Sequence, residues 1–251
     1  MPSRPRSRAG SARRTLPARQ RRGYAPRLPS AERERQIVEG AIEYFAAAGF
    51  AGGTRELSRQ LGITQPLLYR YFPSKQALIE RVYERLFIGR LAPEWITALA
   101  DRSRPLAARL VAFYRHYARA TYNPRWIRLY FHAGLAGVGL NARYIALVER
   151  RLLRTVCAEL RAELGLPPPN GSPVSDRELE FVWKLHGGIF YWAVRKFVYG
   201  SAVLEDFETF AADAVDGFLA GAERVLPRIV AADATRPRKT SEKASASRRR
   251  R

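Results

Sequence analysis

The sequence of 251 residues contains little cysteine and little histidine. Cys157 is the single cysteine, and the three histidines are His116, His132 and His186. One cysteine excludes an intramolecular disulfide framework, and zinc modules need clustered Cys or His residues. No two of the histidines have the i, i+4 spacing that would place them on one face of a helix. We therefore expect a reduced, intracellular protein without a metal site.

Long apolar segments and catalytic motifs are also missing. No uninterrupted apolar run reaches the roughly 18 residues of a membrane span, and the basic N-terminus lacks the apolar stretch of a secretory signal. The sequence offers no paired nucleophile and base, no metal cluster and no glycine-rich phosphate loop. We therefore expect a cytoplasmic protein that is not an enzyme and that uses no cofactor.

Acidic residues are scarce, with 23 Asp and Glu against 44 Lys and Arg and a formal net charge of +21. Residues 1–31 hold nine Arg and no acid, and residues 228–251 hold nine basic and two acidic residues. Both ends have almost no large apolar side chains, so we expect disordered basic arms at 1–30 and 228–251. Charge this far from neutral favours a polyanionic partner, either nucleic acid or an acidic membrane surface.

Between the arms, apolar residues recur with the period of an α-helix. In the first such segment, Ile37, Ala41, Tyr44 and Phe45 fall on one face. No stretch alternates apolar and polar residues between turn signals, so a sheet is not expected. The pattern predicts an all-α fold with helices at 31–48, 54–61, 65–72, 75–90, 93–102, 105–122, 124–137, 141–165, 176–200 and 203–226.

Residues 54–72 predict two short helices joined by a tight turn at Gly62, with a longer helix on either side. This is the arrangement of a helix-turn-helix DNA-binding module. Helix caps are predicted at Thr54, Thr64 and Ser74. The residues predicted to pack the two short helices against the first helix are Leu57, Leu61, Ile63 and Leu68.

The second short helix is expected to present its polar side to DNA. Gln65 suits adenine and Arg70 suits guanine in the major groove. Hydroxyl groups, helix starts and an ammonium group suit phosphate oxygens, which position a protein without reading sequence. The predicted DNA-binding residues are Thr54, Arg55, Thr64, Gln65, Leu67, Tyr69, Arg70, Tyr71 and Lys75.

The same segment resembles a known family. Phe45 is followed after three residues by Gly49 and Phe50, and residues 68–78 read Leu-Tyr-Arg-Tyr-Phe-Pro-Ser-Lys-Gln-Ala-Leu. The order Leu-Tyr-x-Tyr-Phe-x-x-Lys-x-x-Leu at that distance resembles the N-terminal domain of TetR-type transcriptional regulators. Ser58 and Pro66 depart from the family pattern, which usually has Ala at the first position and often has Gly or another small residue at the second.

The resemblance implies an all-α homodimer with two domains per subunit. A DNA-binding domain at 31–78 would read a palindromic DNA operator, and a larger domain at 79–227 would bind a small effector and supply the dimer interface. Family members mostly repress, and effector binding moves their DNA-reading helices apart. The resemblance therefore implies a repressor that a small apolar or aromatic effector releases from its operator.

Aromatic residues crowd the segment 105–200. A cavity lined by aromatic and a few polar groups is typical of an effector pocket, although core packing is the simpler explanation for any single residue. Trp126, Tyr130, Trp183 and His186 are the candidate ligand-binding residues, because each adds a polar group to an apolar helix face. The alternative is a ligand-independent, architectural DNA-binding regulator whose aromatic interior is merely packed.

The last two predicted helices carry apolar faces that would suit a four-helix dimer interface, as the resemblance implies. These faces contain Phe181, Leu185, Ile189, Trp192, Val203, Phe207, Phe210, Ala214 and Phe218. Gly187 and Gly188 lie within the first of the two helices, at a cost of about 1 kcal/mol each relative to Ala. Such a cost suggests a close approach of helices, or a bend, beside the pocket.

Overall fold

The computed structural model describes residues 29–137 and 139–235, so most of the two predicted basic arms lies outside the described residues. Within these residues the chain is all-α and has no strand, which confirms the predicted fold class. None of the described helices is long and apolar enough to cross a membrane. The α-helices are α1 (Ser30–Ala48), α2 (Thr54–Gln60), α3 (Gln65–Tyr71), α4 (Lys75–Leu86), α5 (Pro93–Leu99), α6 (Leu106–Thr121), α7 (Pro124–Leu135), α8 (Leu140–Val148), α9 (Arg154–Glu163), α10 (Asp176–Val194) and α11 (Phe207–Ala234).

Helix α1 supports the two short helices that follow it. Its buried side carries Ile37 and Phe45, as the periodicity predicts, and it ends where Gly49 adopts a φ of 68°. The end of α2 approaches α1 closely because Gly40 has no side chain. A Cβ atom on Gly40 would lie 2.1 Å from Leu61 Cδ2. This close contact sets the position of the α2–α3 pair on α1.

Side-chain caps begin α3 and α4. Thr64 Oγ1 accepts a hydrogen bond at 3.3 Å from the backbone N–H three residues later, and Ser74 Oγ accepts the equivalent bond at 3.0 Å. Both caps are as predicted, and such caps stabilise a helix by about 1 kcal/mol each. The cap predicted at Thr54 is wrong, because Gly53 stands at the cap position and Thr54 is the first residue of α2. The Thr54 hydroxyl is therefore available for a different contact.

Buried ion pairs tie the C-terminal helices together. Glu159 on α9 accepts hydrogen bonds from Arg109 on α6 at 2.8 Å and from Arg102 at 3.0 Å. Arg161 on α9 pairs with Glu178 on α10 at 2.6 Å, and their side chains are 1% and 0% exposed. Breaking such a pair is costly because the remaining charge is left buried without a partner.

The ends of the later helices differ from the prediction. Two π-helical turns interrupt the predicted continuous helices, one at Glu149–Leu153 and one at Arg195–Tyr199. The prediction that a disordered tail starts at residue 228 is wrong, because α11 continues to Ala234. Ile229 and Val230 are buried there, and burial of these two side chains favours helix over a solvated tail.

The apolar face predicted for a dimer interface is partly used within the chain. Phe181, Leu185, Ile189 and Trp192 on α10 are 7% exposed or less in the single chain. That prediction is wrong for these four residues, because packing inside the subunit leaves them no surface for a partner. On α11, by contrast, the apolar stripe is only half-buried.

Candidate nucleic-acid interface and interior cavity

Helix α3 buries one side and exposes the other. Leu68 belongs to the core with 1% exposure, while Tyr69 and Arg70 are exposed and Gln65 is half-buried. The turn before α3 depends on Gly62, which adopts a φ of 65°, a conformation that favours glycine. The polar side of α3 therefore faces outward from a short helix fixed by its apolar side.

Three polar side chains on this surface hydrogen-bond to one another. Gln65 Nε2 donates to Thr54 Oγ1 at 3.0 Å. The hydroxyl groups of Thr54 and Tyr69 also lie 3.0 Å apart, within hydrogen-bonding distance. Thr54 on α2 therefore connects two residues of α3 that are one helical turn apart, and it restricts the rotamers of both. All three are predicted DNA contacts, but no sequence pattern indicates that they contact each other.

Three of the predicted DNA contacts are basic residues that have no acidic partner among the described residues. Arg55 and Arg70 are exposed, and Lys75 is half-buried as the first residue of α4. Within the described residues, none of them forms an ion pair with a carboxylate, whereas Glu56 pairs with Arg59 at 2.6 Å. Their positive charge is therefore free to attract an anion.

The remaining predicted contacts are either already hydrogen-bonded or half-buried. Thr64 Oγ1 already accepts the capping hydrogen bond, so its hydroxyl group is left with its proton to donate. Leu67 and Tyr71 are half-buried, and Tyr71 packs against the core. The structure brings all nine predicted residues to α2, α3 and their flanking positions, and their contact with DNA remains a prediction.

A cavity of about 60 Å³ lies among α6, α7, α8 and α10. The four residues predicted to bind a ligand, Trp126, Tyr130, Trp183 and His186, all lie in its wall. The wall also contains Gly187, which was predicted to lie beside the pocket, and five residues that were not predicted to bind a ligand: Tyr117, Tyr144, Ile145, Val148 and Phe190. Because the wall is assembled from four helices, the only sequence signal for Tyr117, Tyr144 and Phe190 is the general abundance of aromatic side chains, and Ile145 and Val148 have none.

The polar groups of the wall differ in how well they are satisfied. Trp126 Nε1 donates to the backbone carbonyl of Leu86 at 3.1 Å, and the hydroxyl groups of Tyr117 and Tyr144 bond to each other. His186 Nδ1 is buried and has no hydrogen-bond partner among the described residues. Burial also lowers the pKa of His186 to about 4. The imidazole is therefore neutral at pH 7 and has an unused polar atom.

Comparison with known proteins identifies the family. Residues 37–82, from α1 into α4, match the family described as bacterial regulatory proteins, tetR family. The nucleoid occlusion factor SlmA of Marinomonas sp. (strain MWYL1) is 30% identical over 151 residues, which cover 56% of this chain and 73% of that protein. The chain belongs to the TetR family. It is a DNA-binding transcriptional regulator with a helix-turn-helix module.

Another relative matches a shorter stretch. The HTH-type transcriptional activator FasR of Mycolicibacterium smegmatis (strain ATCC 700084 / mc(2)155) is 32% identical over 93 residues. These residues make up 35% of this chain and span less than half of that relative, 42% of its length. The match therefore concerns only part of either protein.

Solved structures show that the TetR fold extends beyond the helix-turn-helix. A TetR-like transcriptional regulator from Rhodococcus sp. RHA1 has a TM-score of 0.57 at 19% identity, over 78% of this chain and 100% of that one. A TetR-family transcriptional regulator from Streptomyces coelicolor has a TM-score of 0.53 at 17% identity, over 82% and 88%. Each match spans more than three quarters of this chain, well beyond the share that α1 to α4 make up.

In this TetR-family chain, α4 joins the two candidate sites. Its first residue follows the turn after α3, and its last residue, Leu86, accepts the hydrogen bond from Trp126 in the cavity wall. The ring of Phe87, directly after α4, lies 4.9 Å from the Trp126 ring and 5.5 Å from the Tyr144 ring. A displaced cavity wall would therefore act on the helix that follows α3 in the chain.

Proposed function

We propose that this protein is a repressor that binds a palindromic operator as a homodimer and leaves it when a small apolar or aromatic effector enters the cavity. The observation that carries this proposal is the hydrogen bond between Trp126 in the cavity wall and Leu86 at the end of α4. An effector that moves the Trp126 indole would break this bond or pull α4 with it. Either change would alter the position of α3.

We assign base reading to Gln65 and Arg70, whose amide and guanidinium groups suit the major-groove edges of adenine and guanine. The other predicted polar residues would hold the DNA backbone, to which the basic N-terminal arm would add sequence-independent attraction. The residues assigned to this positioning role are Thr54, Arg55, Thr64, Tyr69, Tyr71 and Lys75, while Leu67 would contribute an apolar contact.

We assign residues 31–78 to DNA binding and residues 79–227 to effector binding and dimerisation. A palindromic operator needs two recognition helices separated by about one turn of DNA, roughly 34–36 Å. On α11, Phe210, Ala214 and Phe218 recur every four residues and are only half-buried in the single chain. This stripe supports the assignment, because it leaves apolar surface that a second subunit could cover.

Selection of bound DNA from a random pool tests the operator and the dimer. The expected product is a palindrome whose half-sites lie one helical turn of DNA, or a multiple of it, apart. Transcription from a promoter carrying the selected site should fall when the protein is present and recover when an aromatic effector is added. A selected site without two-fold symmetry would contradict the homodimer, and increased transcription would contradict repression.

The coupling step has a test of its own, in the variant Trp126→Phe. The substitution keeps an aromatic ring but removes the N–H group that reaches Leu86. We expect near-normal operator binding without effector and a smaller change in affinity when effector is added. The measurement is the ratio of operator dissociation constants with and without effector, which equals the reciprocal effect of operator on effector binding.

The matched control is Trp183→Phe, which alters an indole in the same wall that makes no hydrogen bond to α4. This variant should change effector affinity while the coupling ratio stays near that of the wild-type protein. Equal loss of coupling in both variants would contradict the special role of Trp126.

A second candidate function is ligand-independent DNA binding. The observation that favours it is the size of the cavity, because about 60 Å³ is well below the roughly 300–1,000 Å³ of common ligand pockets. Under this candidate, no aromatic compound changes operator affinity. The aromatic wall would then act only as packing.

A further inference from the structure

We propose that the cavity accepts an uncharged, planar aromatic ligand with one hydroxyl group, and that this hydroxyl group hydrogen-bonds to the imidazole of His186. The inference rests on the proposed effector function, because it names the class of compound that the effector site would take. Three properties of the described wall residues support it: their ring geometry, their lack of charge and a buried imidazole nitrogen without a hydrogen-bond partner.

The geometry of the wall favours a flat ring. Trp126 and Tyr130 stack with 5° between their planes and 5.3 Å between their centroids. Phe190 stands edge-on to Tyr130 at 5.4 Å, and Trp183 stands edge-on to His186, also at 5.4 Å. An aromatic ligand can extend such an arrangement, because ring faces and edges attract each other in stacked and T-shaped geometries.

The wall contains no charged side chain. None of the ten residues in the wall is Lys, Arg, Asp or Glu. Burial raises the pKa of the Tyr117 and Tyr144 hydroxyl groups well above the usual value, so both stay neutral. A carboxylate or ammonium group would lose its hydration here without gaining a counter-charge, at a large cost. The ligand must therefore be neutral.

Among the polar side-chain atoms of the described wall residues, His186 Nδ1 is the one that is buried without a hydrogen-bond partner. A neutral imidazole donates through one ring nitrogen and accepts through the other. A hydroxyl group can both donate and accept, so it suits whichever nitrogen the ligand reaches. A ligand hydroxyl would therefore relieve the cost of a buried polar atom without a partner.

The ligand has to widen the cavity from one side. A volume of about 60 Å³ holds roughly two water molecules and is too small for an aromatic ring. The wall is open at Ile145 and Gly187, which are exposed. The close helix approach predicted at Gly187 and Gly188 is wrong, because a Cβ atom on either residue would meet nothing within 4 Å. Entry on this side would displace the half-buried ring of Tyr130, which stacks on Trp126.

The test compares three probes of similar shape: 2-naphthol, naphthalene and 2-naphthoate. Their binding to the full-length protein without DNA is measured by calorimetry and by quenching of tryptophan fluorescence. We expect 2-naphthol to bind about tenfold more tightly than naphthalene, because of one buried hydrogen bond. We expect 2-naphthoate to bind more weakly than either.

Variants of His186 connect this preference to the imidazole. His186→Phe should remove the advantage of 2-naphthol over naphthalene while naphthalene still binds, and His186→Gln should restore part of it. The control is His116→Phe, which changes an exposed histidine that stacks on Trp95 outside the cavity. Should His186→Phe fail to fold, the ranking of the three probes on the wild-type protein still decides the proposal.

Tight binding of 2-naphthoate would overturn the inference, and so would an unchanged preference for 2-naphthol in His186→Phe. Operator release is measured separately with the same probes. Binding of 2-naphthol with His186 dependence but without release from the operator would support the ligand class and contradict the proposed effector function. Failure of all three probes to bind would overturn the inference and leave operator binding untouched.

Discussion

The DNA-binding face and the cavity differ in burial, charge and distance along the chain. The first is an exposed surface with three unpaired cations, and its nine predicted residues lie between Thr54 and Lys75. The second is a buried, neutral wall built from four helices between Tyr117 and Phe190. A polyanion is attracted through water by exposed charge, whereas a neutral ligand is selected by shape and by one or two polar atoms. The two regions should therefore respond to different perturbations.

The largest difference should appear in stability, between an ion pair buried among the C-terminal helices and an exposed pair beside the DNA-binding face. Glu178→Gln removes the partner of Arg161, a guanidinium that is 1% exposed. We expect a loss of about 3–5 kcal/mol in the free energy of unfolding, because the cation stays buried without its counter-charge. Chemical denaturation monitored by circular dichroism measures the change.

The control for this prediction is Glu56→Gln, which breaks the exposed pair with Arg59 beside the DNA-binding face. Exposed pairs contribute little because water and salt screen them, so the free energy of unfolding should stay the same. The double variant Arg161→Met, Glu178→Leu should recover part of the loss, since no charge is left buried. Equal effects of Glu178→Gln and Glu56→Gln would contradict the contrast between the regions.

The second prediction concerns pH and the neutral wall. Burial lowers the pKa of His186 from 6.5 to about 4, so between these values the unfolded chain binds a proton that the folded chain does not. The contribution of His186 to stability should be complete above pH 6.5 and should be lost as the pH falls through about 4. The full loss is about 3 kcal/mol.

The measurement is the difference in unfolding free energy between the wild-type protein and His186→Phe at each pH in this range. The carboxylates titrate in both proteins, so their effect cancels in this difference. His116→Phe serves as the control, because His116 is exposed. If the wild-type protein and His186→Phe lost stability in parallel between pH 6.5 and 4, the conclusion that folded His186 is neutral and desolvated would be wrong.

The same contrast explains how much the sequence could predict. Helices α2 and α3 begin at the predicted residues and end one residue early, because Gly62 and the caps at Thr64 and Ser74 are local signals. The five wall residues that were not predicted have no local signal, since tertiary packing decides which side of an apolar helix faces a cavity. The basic composition of residues 228–251 likewise led to the wrong prediction of a disordered tail at the end of α11, where Ile229 and Val230 are buried.

The third prediction separates reading from positioning on the DNA-binding face. Gln65→Ala and Arg70→Ala should change base preference at particular operator positions by about 1–3 kcal/mol. Lys75→Ala should instead weaken binding to all sequences and reduce the salt dependence by about one charge. Competition binding with single-base operator variants at several salt concentrations measures both effects.

Arg104→Ala provides a control for charge alone, because Arg104 is an exposed cation in the loop before α6. It should leave both base preference and salt dependence unchanged. Unchanged affinity in Lys75→Ala would show that the helix-turn-helix meets DNA in a different register from the one proposed.

The smallest expected effect concerns Thr54, which contacts DNA-reading residues rather than the cavity. Its hydroxyl group accepts the hydrogen bond of Gln65 Nε2 and lies 3.0 Å from the Tyr69 hydroxyl. Thr54→Val keeps the shape of the side chain but removes the hydroxyl group, so the Gln65 and Tyr69 side chains are no longer held in one rotamer. Ordering them on DNA then costs entropy, and operator affinity should fall by about 0.5–1.5 kcal/mol. Thr54→Ser, which keeps the hydroxyl group, should bind like the wild-type protein.

The double variant with Gln65→Ala shows how Thr54 acts. If Thr54 orients Gln65, then Thr54→Val should cost less in the Gln65→Ala background, and base preference should change only at the position that Gln65 reads. A hydroxyl group that merely contacts phosphate would lower affinity for every sequence alike, in either background. Equal costs in the two backgrounds would therefore assign Thr54 to the DNA backbone and leave Gln65 to be oriented by the DNA itself.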